Sequence, residues 1–499
     1  MAHEPMNRRT FLLASLGGLG AVALAGCTPG KPRPTTSPSP SPTTQPTPSS
    51  VPQPAGWLRS RWSEDPFARG STSFTAVAAT DADRRALAAP VGDRLFFAGE
   101  ATSVEAPATI EGARESGVRA ANEVLGRAER KERIAVIGAG VAGLTTARVL
   151  ADAGHDVLVI EARDRVGGRV DSRTGGSWPM AVDFGPVTLD PAGALHAALS
   201  AAGADLVSFG RVDEVRTADG AVVGASAVGA AAVADAVAWS ARAPHDITLD
   251  AALADSGAAA ALSTVPDAAG ISDADWLAYQ LATQVEQRTA APAARLSSWN
   301  GGAASPGDGV GDALPLAGYS GYIDALADGL DVLLGSVVTR VVVTDSRVSL
   351  RLGTGESLTV ARAVVTVPLG VLKAGAIAFE PELPLPTARA ISIIGMGALD
   401  RVWLRYDAPF WSTDATVWTT VAAGSPVSGW LNLLPDTGHP VLVGTLAADS
   451  ATRLAALGDS AFIAEILATL EPFVDPAVAD GAEASTQEPA TPVPGTSEP

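Results

Sequence analysis

Hydrophobic positions along this chain change register several times. Ile134-Ala135-Val136-Ile137 and Val157-Leu158-Val159-Ile160 are short, unbroken apolar runs, the pattern of strands buried on both faces of a parallel sheet. Between them, Leu144 to Ala153 reads as a helix that Gly154 stops. Strand, helix and strand in quick succession predict a βαβ unit, and so an α/β fold. Phe11 to Ala25 is also apolar. It is too short for a comfortable membrane span and follows Arg8-Arg9, the layout of an export signal over residues 1–26. Residues 27–54 and 479–499 are instead rich in Pro, Ser and Thr. With few apolar side chains to offset ordering entropy, they are expected to form an extended tether and a disordered tail.

Composition narrows the function. Lys+Arg 35 against Asp+Glu 54 gives a formal net charge of -19, which repels phosphate backbones and argues against nucleic acid as a partner. That charge serves solubility first and would concentrate cationic amines only mildly. Cys27 is the only cysteine, so no disulfide can form within the chain and thiolate zinc or iron–sulfur centres are excluded. The five histidines include no i, i+4 pair, and no metal site is predicted. A length of 499 residues implies two or three domains.

The most specific local chemistry lies between the two apolar runs, in Gly138-Ala139-Gly140-Val141-Ala142-Gly143. The first glycine suits a tight turn, the second a close approach of pyrophosphate to backbone, and the third close packing of helix on strand. The N–H groups of the following helix would face the phosphates. Glu161 closes the second strand, where a carboxylate can hold an adenosine ribose. Strand, loop, helix, strand and acid in this order predict a dinucleotide site. An unrelated α/β protein with a glycine-rich helix start is the alternative.

The residues after Glu161 separate the nucleotides. Glu161-Ala162-Arg163 followed by Gly167-Gly168-Arg169 resembles the extended FAD signature of the flavin-containing amine oxidase family. Arg163 and Arg169 are there to meet ribose and pyrophosphate oxygens, with solvated surface cations as the alternative. The resemblance continues through Gly318-Tyr319, the strand around Val337-Val338-Thr339-Arg340-Val341, Thr366-Val367-Pro368-Leu369-Gly370-Val371-Leu372 and Phe379-Glu380-Pro381. It implies a Rossmann-like FAD-binding domain with a parallel sheet, and an α+β substrate domain of helices over a mixed sheet. In it, Val338 would touch the adenine.

One block is out of the family's order. A tryptophan-led strand (Trp62-Ser63-Glu64-Asp65-Pro66), Leu95-Phe96-Phe97-Ala98-Gly99-Glu100 and Thr109-Ile110-Glu111-Gly112-Ala113 resemble the family's C-terminal part, yet here they precede the glycine motif. A circular permutation is expected, with a partial duplicate over 57–127 as the alternative; no second Phe-Phe-Ala-Gly-Glu occurs to favour the latter. The FAD domain would then comprise 55–127, 133–190 and 315–384, and the substrate domain 191–314 and 385–478. Glu100 would bind the ribityl chain, Gly99 would permit close approach, and the helix start at Thr109, Ile110 and Ala113 would aim its dipole at the flavin ring. With no cysteine or histidine in a flavin motif, the FAD is expected to be non-covalent.

The resemblance implies oxidation of a C–N bond in an amine or amino acid: hydride to flavin N5, imine hydrolysis, and electrons to O2 to give H2O2. A flavin dehydrogenase or desaturase that avoids oxygen, and a catalytically silent FAD-binding lipoprotein, are the rivals. Many relatives carry a lysine after a Gly-x-Gly turn. Gly395-Met396-Gly397 leads here to Arg401, bulkier and unable to act as a neutral base. Pro186 removes a backbone N–H near the expected ring position. Trp299, Trp403, Trp411, Trp418 and Trp430 are candidates for a pocket wall, with core packing as the commoner role. Finally, Arg8-Arg9 before Phe11-Leu12 resembles a twin-arginine signal, and Leu24-Ala25-Gly26-Cys27 a lipobox. The expected location is the outer face of a bacterial cytoplasmic membrane, with Cys27 lipidated.

Overall fold

The two apolar runs are central strands of a five-stranded, all-parallel sheet. In the computed structural model, which describes residues 49–201, 203–302, 311–422 and 424–478, the strand order is Asp331–Leu333, Asp156–Ile160, Arg133–Ile137, Arg362–Val365 and Leu95–Phe97. The export signal, Cys27 and the 479–499 tail lie outside the described residues. Alternation along the strands builds two cores. Ile134, Val136, Val157 and Val159 pack with the helices Ile110–Leu125 and Val141–Asp152. Ala135, Ile137, Leu158 and Ile160 pack with a four-stranded sheet made of Val338–Val343, Val348–Leu352, Ser357–Val360 and Ala378–Glu380.

The helix of the βαβ unit starts at Val141 rather than Leu144, because Gly140 in extended conformation serves as its N-cap. Gly143 therefore lies within the first turn, with no room for a side chain: a Cβ there would stand 1.9 Å from Gly138 O. The neighbouring helix Ile110–Leu125 crosses just as closely, and a Cβ on Gly117 would stand 2.5 Å from Ala142 O.

Leu95–Phe97, from the early block, is the edge strand beside Arg362–Val365, paired Ala363↔Leu95 to Val365↔Phe97. The tryptophan-led segment, expected as a strand, is a turn instead. The N–H groups of Glu64 and Asp65 both donate to Arg61 O at 3.1 Å, and Pro66 follows. The strand in this region is Gly56–Arg59, antiparallel to Leu399–Arg405.

That pairing begins a seven-stranded mixed sheet: Gly56–Arg59, Leu399–Arg405, Val441–Ala447, Gly429–Asn432, Val417–Val421, Asp213–Thr217 and Val222–Val223. Helices Ala448–Ala455 and Asp459–Ala468 contribute to the core on one side of it. A second helical layer, Val228–Ser240, Leu249–Asp255 and Asp273–Gln280, has its own core. The last of these runs on into a π-helical turn, Leu281–Glu286. The fold is thus an α/β nucleotide-type sheet joined to a mixed sheet with helices.

Candidate active site

Four chain segments leave the parallel sheet at its carboxyl edge and meet there: 98–100, 138–143, 161–169 and 366–368. Gly138 adopts φ +110, which only glycine tolerates readily, and its N–H donates to Ile160 O at 2.8 Å. A Cβ on Gly140 would meet nothing within 4 Å, so the backbone there borders open space. Just past that opening, Val141, Ala142 and Gly143 form the first helical turn, whose N–H groups have no intrahelical acceptor. Gly168, at φ +63, caps the opening from the other side. A Cβ on it would stand 3.2 Å from Gly140 Cα.

Glu161 is buried beneath this loop. Its Oε2 accepts from Ala139 N at 2.7 Å and its Oε1 from Arg163 N at 2.8 Å, which leaves further lone pairs on both oxygens. Ala162 lies half-buried between them. The Arg163 guanidinium is held by Asp65 at 2.7 Å, over the Phe67 ring. Ser336 N donates to Glu161 O, which brings buried Val338 near the same end of the cleft.

The early block closes the other side. Thr366 is the shared wall: its Oγ1 donates to Ile137 O and Gly138 O, and its carbonyl is 4.0 Å from where a Gly99 Cβ would be. Gly99 itself sits at φ +130, and its N–H donates to Ser116 Oγ. Next to it, Glu100 is buried and accepts from Ser73 Oγ (2.7 Å), Ala108 N (3.0 Å) and Arg169 (3.1 Å). Burial alone would raise its pKa. Arg169, the Ser73 hydrogen bond and Arg84 outweigh burial and hold the carboxyl below its ordinary range. Thr109 caps the helix whose first turn carries half-buried Ile110 and Ala113; its Oγ1 accepts from Gly112 N at 2.9 Å. The sequence did not single out Thr366, Ser73, Arg84 or Ser116. Thr366 and Ser116 stood within segments that resemble family motifs, Ser116 as the serine of the helix start that begins at Thr109, whereas Ser73 and Arg84 carried no signal.

Behind the cleft lies a buried polar group of side chains. Arg401 sits on Leu399–Arg405, on the same face as Trp403, and donates to Thr445 Oγ1, while its Nε has no partner. The residue as a whole is half-buried, while its Nε is closed off from solvent. Burial lowers its pKa to about 10, against the opposing pull of Tyr319 and Asp400, so it stays charged at neutral pH. The Tyr319 hydroxyl and Asp183 Oδ2 are also buried without partners. Burial raises Asp183 to about 8, helped by Asp171 and opposed by the Ser172 hydroxyl and the Tyr319 N–H. Such orphaned groups cost stability unless a ligand or water meets them. Glu286, on the π-helical turn, is half-buried and raised to about 7 by burial and then by Asp449. No pattern in the sequence marks Glu286.

Of the five tryptophans weighed for a pocket wall, Trp403, Trp411, Trp418 and Trp430 are core residues, and Trp299 is exposed. Among the described residues, no group of His, Cys, Asp and Glu could hold a metal, and no helix is long and apolar enough to cross a membrane.

A glycine cradle at the carboxyl edge of a parallel sheet, with a buried acid beneath it, defines a dinucleotide-binding protein. The profile for flavin containing amine oxidoreductases matches residues 44–125 and 141–490. Polyamine oxidase 2 of Arabidopsis thaliana is 31% identical over 356 residues, 66% of this chain and 70% of the relative. In fold, the chain is similar to cyclohexylamine oxidase from Brevibacterium oxydans, with TM-score 0.55 and 22% identity over 70% of this chain and 83% of that one. It is also similar to putrescine oxidase bound to putrescine, with TM-score 0.53 and 21% identity over 70% and 83%. The chain belongs to the flavin-containing amine oxidoreductase family, and its cofactor is FAD.

Proposed function

We propose that this protein oxidises the C–N bond of an amine or amino acid, using FAD held without a covalent link. The observation that carries the reading is the closed cleft: open backbone at Gly140 on one side, and the Glu100–Arg169 pair on the other. A flavin bound there would supply the hydride acceptor for oxidation of the carbon beside nitrogen. Glu161 would take the adenosine ribose, with Ala162 and Val338 flanking the adenosine, and the first turn at Val141–Gly143 would take the pyrophosphate. Arg169 and Gly168 would close over it, with Arg163 as a neighbouring cation held by Asp65. Glu100 and Gly99 would meet the ribityl chain, and the helix start at Thr109, Ile110 and Ala113 would bring its positive end to the ring. Arg401, Tyr319 and Asp183 would line the reacting side, where their unpartnered atoms orient substrate or water.

The substrates named for the relatives, polyamines, putrescine and cyclohexylamine, make a cationic amine the first to test. The experiment is to record the flavin absorbance of the purified protein and follow its bleaching without oxygen against putrescine, longer polyamines, cyclohexylamine and amino acids. Peroxide is then measured in air. Bleaching with peroxide supports an oxidase. Bleaching without peroxide supports the dehydrogenase reading, which Arg401 in place of the family's lysine favours. A flavin that no donor bleaches overturns both.

The chain order is read as a circular permutation, supported by the early strand Leu95–Phe97 lying beside Arg362–Val365. Export by the twin-arginine route and acylation of Cys27 are proposed from residues 8–27 alone. Incorporation of labelled palmitate that persists in Cys27→Ser would overturn the lipid anchor.

A further inference from the structure

A second recess, of about 500 Å³, lies between the Trp62 turn and the segment that follows the glycine-rich loop. Its lining lacks every glycine of the cradle, as well as Glu100 and Arg169. Five arginines stand in its wall: Arg59, Arg61, Arg163, Arg165 and Arg173. In a chain of net charge -19, such a concentration of guanidinium groups calls for a physical reason.

Their pairing is incomplete. Arg163 is matched by Asp65 at 2.7 Å, and Arg59 reaches Asp459, outside the recess, at 2.9 Å. Arg165 and Arg173 share one buried carboxylate, Asp171, at 3.0 and 3.3 Å. The exposed Arg61 guanidinium has no ion pair or hydrogen bond among the described residues. Glu64 is the remaining acid of the wall, and it stands exposed. Burial depresses the pKa of Arg165, and the nearby Arg163 and Arg173 depress it further against the pull of Asp171 and Glu161. Across the wall, five guanidinium groups face three carboxylates, those of Glu64, Asp65 and Asp171.

The groups are also held in place. The Arg173 guanidinium lies 4.4 Å from the centre of the Phe184 ring, and the Phe184 carbonyl is fixed by Trp62 Nε1 at 2.9 Å. A planar carboxylate is filled by one guanidinium fork. A tetrahedral anion with several terminal oxygens can accept from two or three arginines at once.

We propose that this recess binds a compact phosphate-type oxyanion, with Arg61, Arg165 and Arg173 as its ligands. The shared chemistry is a phosphate group, whether free in solution or carried on a lipid headgroup. Isothermal titration of the flavin-loaded, full-length protein with inorganic phosphate, and separately with glycerophosphoglycerol as a headgroup without acyl chains, distinguishes the two sources. Expected is one bound anion per chain, weakened about tenfold or more by Arg61→Gln and by Arg173→Gln. Arg453→Gln, at a surface pair with Glu465 elsewhere, should leave it unchanged. Tighter binding of inorganic phosphate assigns a free ligand, and tighter binding of the diester assigns a headgroup. Thermal melting of each variant shows that it is folded. Three outcomes overturn the proposal: no saturable binding of either anion, binding unaltered in both arginine variants, or phosphate that FAD expels. The last would make the recess part of the cofactor's own cleft.

Discussion

Arg169 and Glu100, 69 positions apart in the chain, meet with the guanidinium Nη1 3.1 Å from carboxylate Oε1. This pair ties the early block to the glycine-rich loop, and both partners are largely shielded from solvent. Removing one partner of such a pair strands the other charge, at a cost of about 3–5 kcal/mol. Arg169→Ala should therefore lower stability by that order. Glu100→Gln should cost less, because the amide oxygen still accepts from Ser73. Because the folded Glu100 carboxyl titrates below its ordinary range, its contribution is complete above the ordinary glutamate pKa. It is lost as pH falls through the lowered value. Calorimetric melting from pH 7 down to 3 should show this acid limb in the wild type and its absence in Glu100→Gln.

Gly140 and Gly143 make a matched test of what the cradle is for. A Cβ on Gly140 enters open space, and its φ of -78 suits alanine, so Gly140→Ala should melt like the wild type without cofactor. It should nevertheless hold FAD at least about tenfold more weakly, since the methyl group occupies the approach of the pyrophosphate. Gly143→Ala drives a Cβ to 1.9 Å from Gly138 O and should lose stability with or without flavin. Equal flavin affinity in Gly140→Ala and wild type would remove the cradle from the cofactor site.

Asp183 gives the opposite pH dependence to Glu100. Its folded pKa, raised by burial to about 8, exceeds the unfolded value, so the native state binds the proton more tightly. Stability should fall as pH rises from about 4 to about 8 and then level off, with a slope of at most about 1.4 kcal/mol per pH unit. Asp183→Asn keeps the carbonyl that accepts from Ser172 and carries no proton to lose. Its melting temperature should be nearly flat over pH 5–9 and should exceed the wild type's at the alkaline end. A parallel pair of curves would show that Asp183 is ionised in the fold.

Legibility in the sequence followed the range of each interaction. The parallel strands and the Gly138–Gly143 turn were readable because a continuous apolar run and closely spaced glycines are local patterns. The FAD signature was readable for the same reason. The Trp62 segment was misread as a strand, since a tryptophan-led motif says nothing of the hydrogen bonds to Arg61 O that close a turn. Thr366 touching Gly138 across 228 positions, and the convergence of Asp183, Tyr319 and Arg401, depend on how sheets dock. No pattern within one segment encodes that. Glu286 was invisible because a π-helical turn inside a helix leaves the residue spacing looking ordinary.

Arg401 supplies the sharpest test of the reacting side. Its guanidinium gives a hydrogen bond to Thr445, leaves a buried Nε without a partner, and so is a fixed cation close to Tyr319 and Asp400. Burial brings its pKa to about 10: the cation prevails below that pH and is lost above it. Activity that needs the charge should show an alkaline limb near pH 10. In Arg401→Lys the same burial acts on a group of lower intrinsic pKa, about 10.4, so the limb should move down by a unit or more. A shorter ammonium without the planar fork should also change the rate of flavin reoxidation about fivefold or more, toward faster peroxide formation if the family's lysine serves oxygen. The checks are the pH profile of kcat/KM and stopped-flow reoxidation of both proteins. Superimposable profiles and equal reoxidation would place Arg401 outside the reaction, as a structural cation bonded to Thr445.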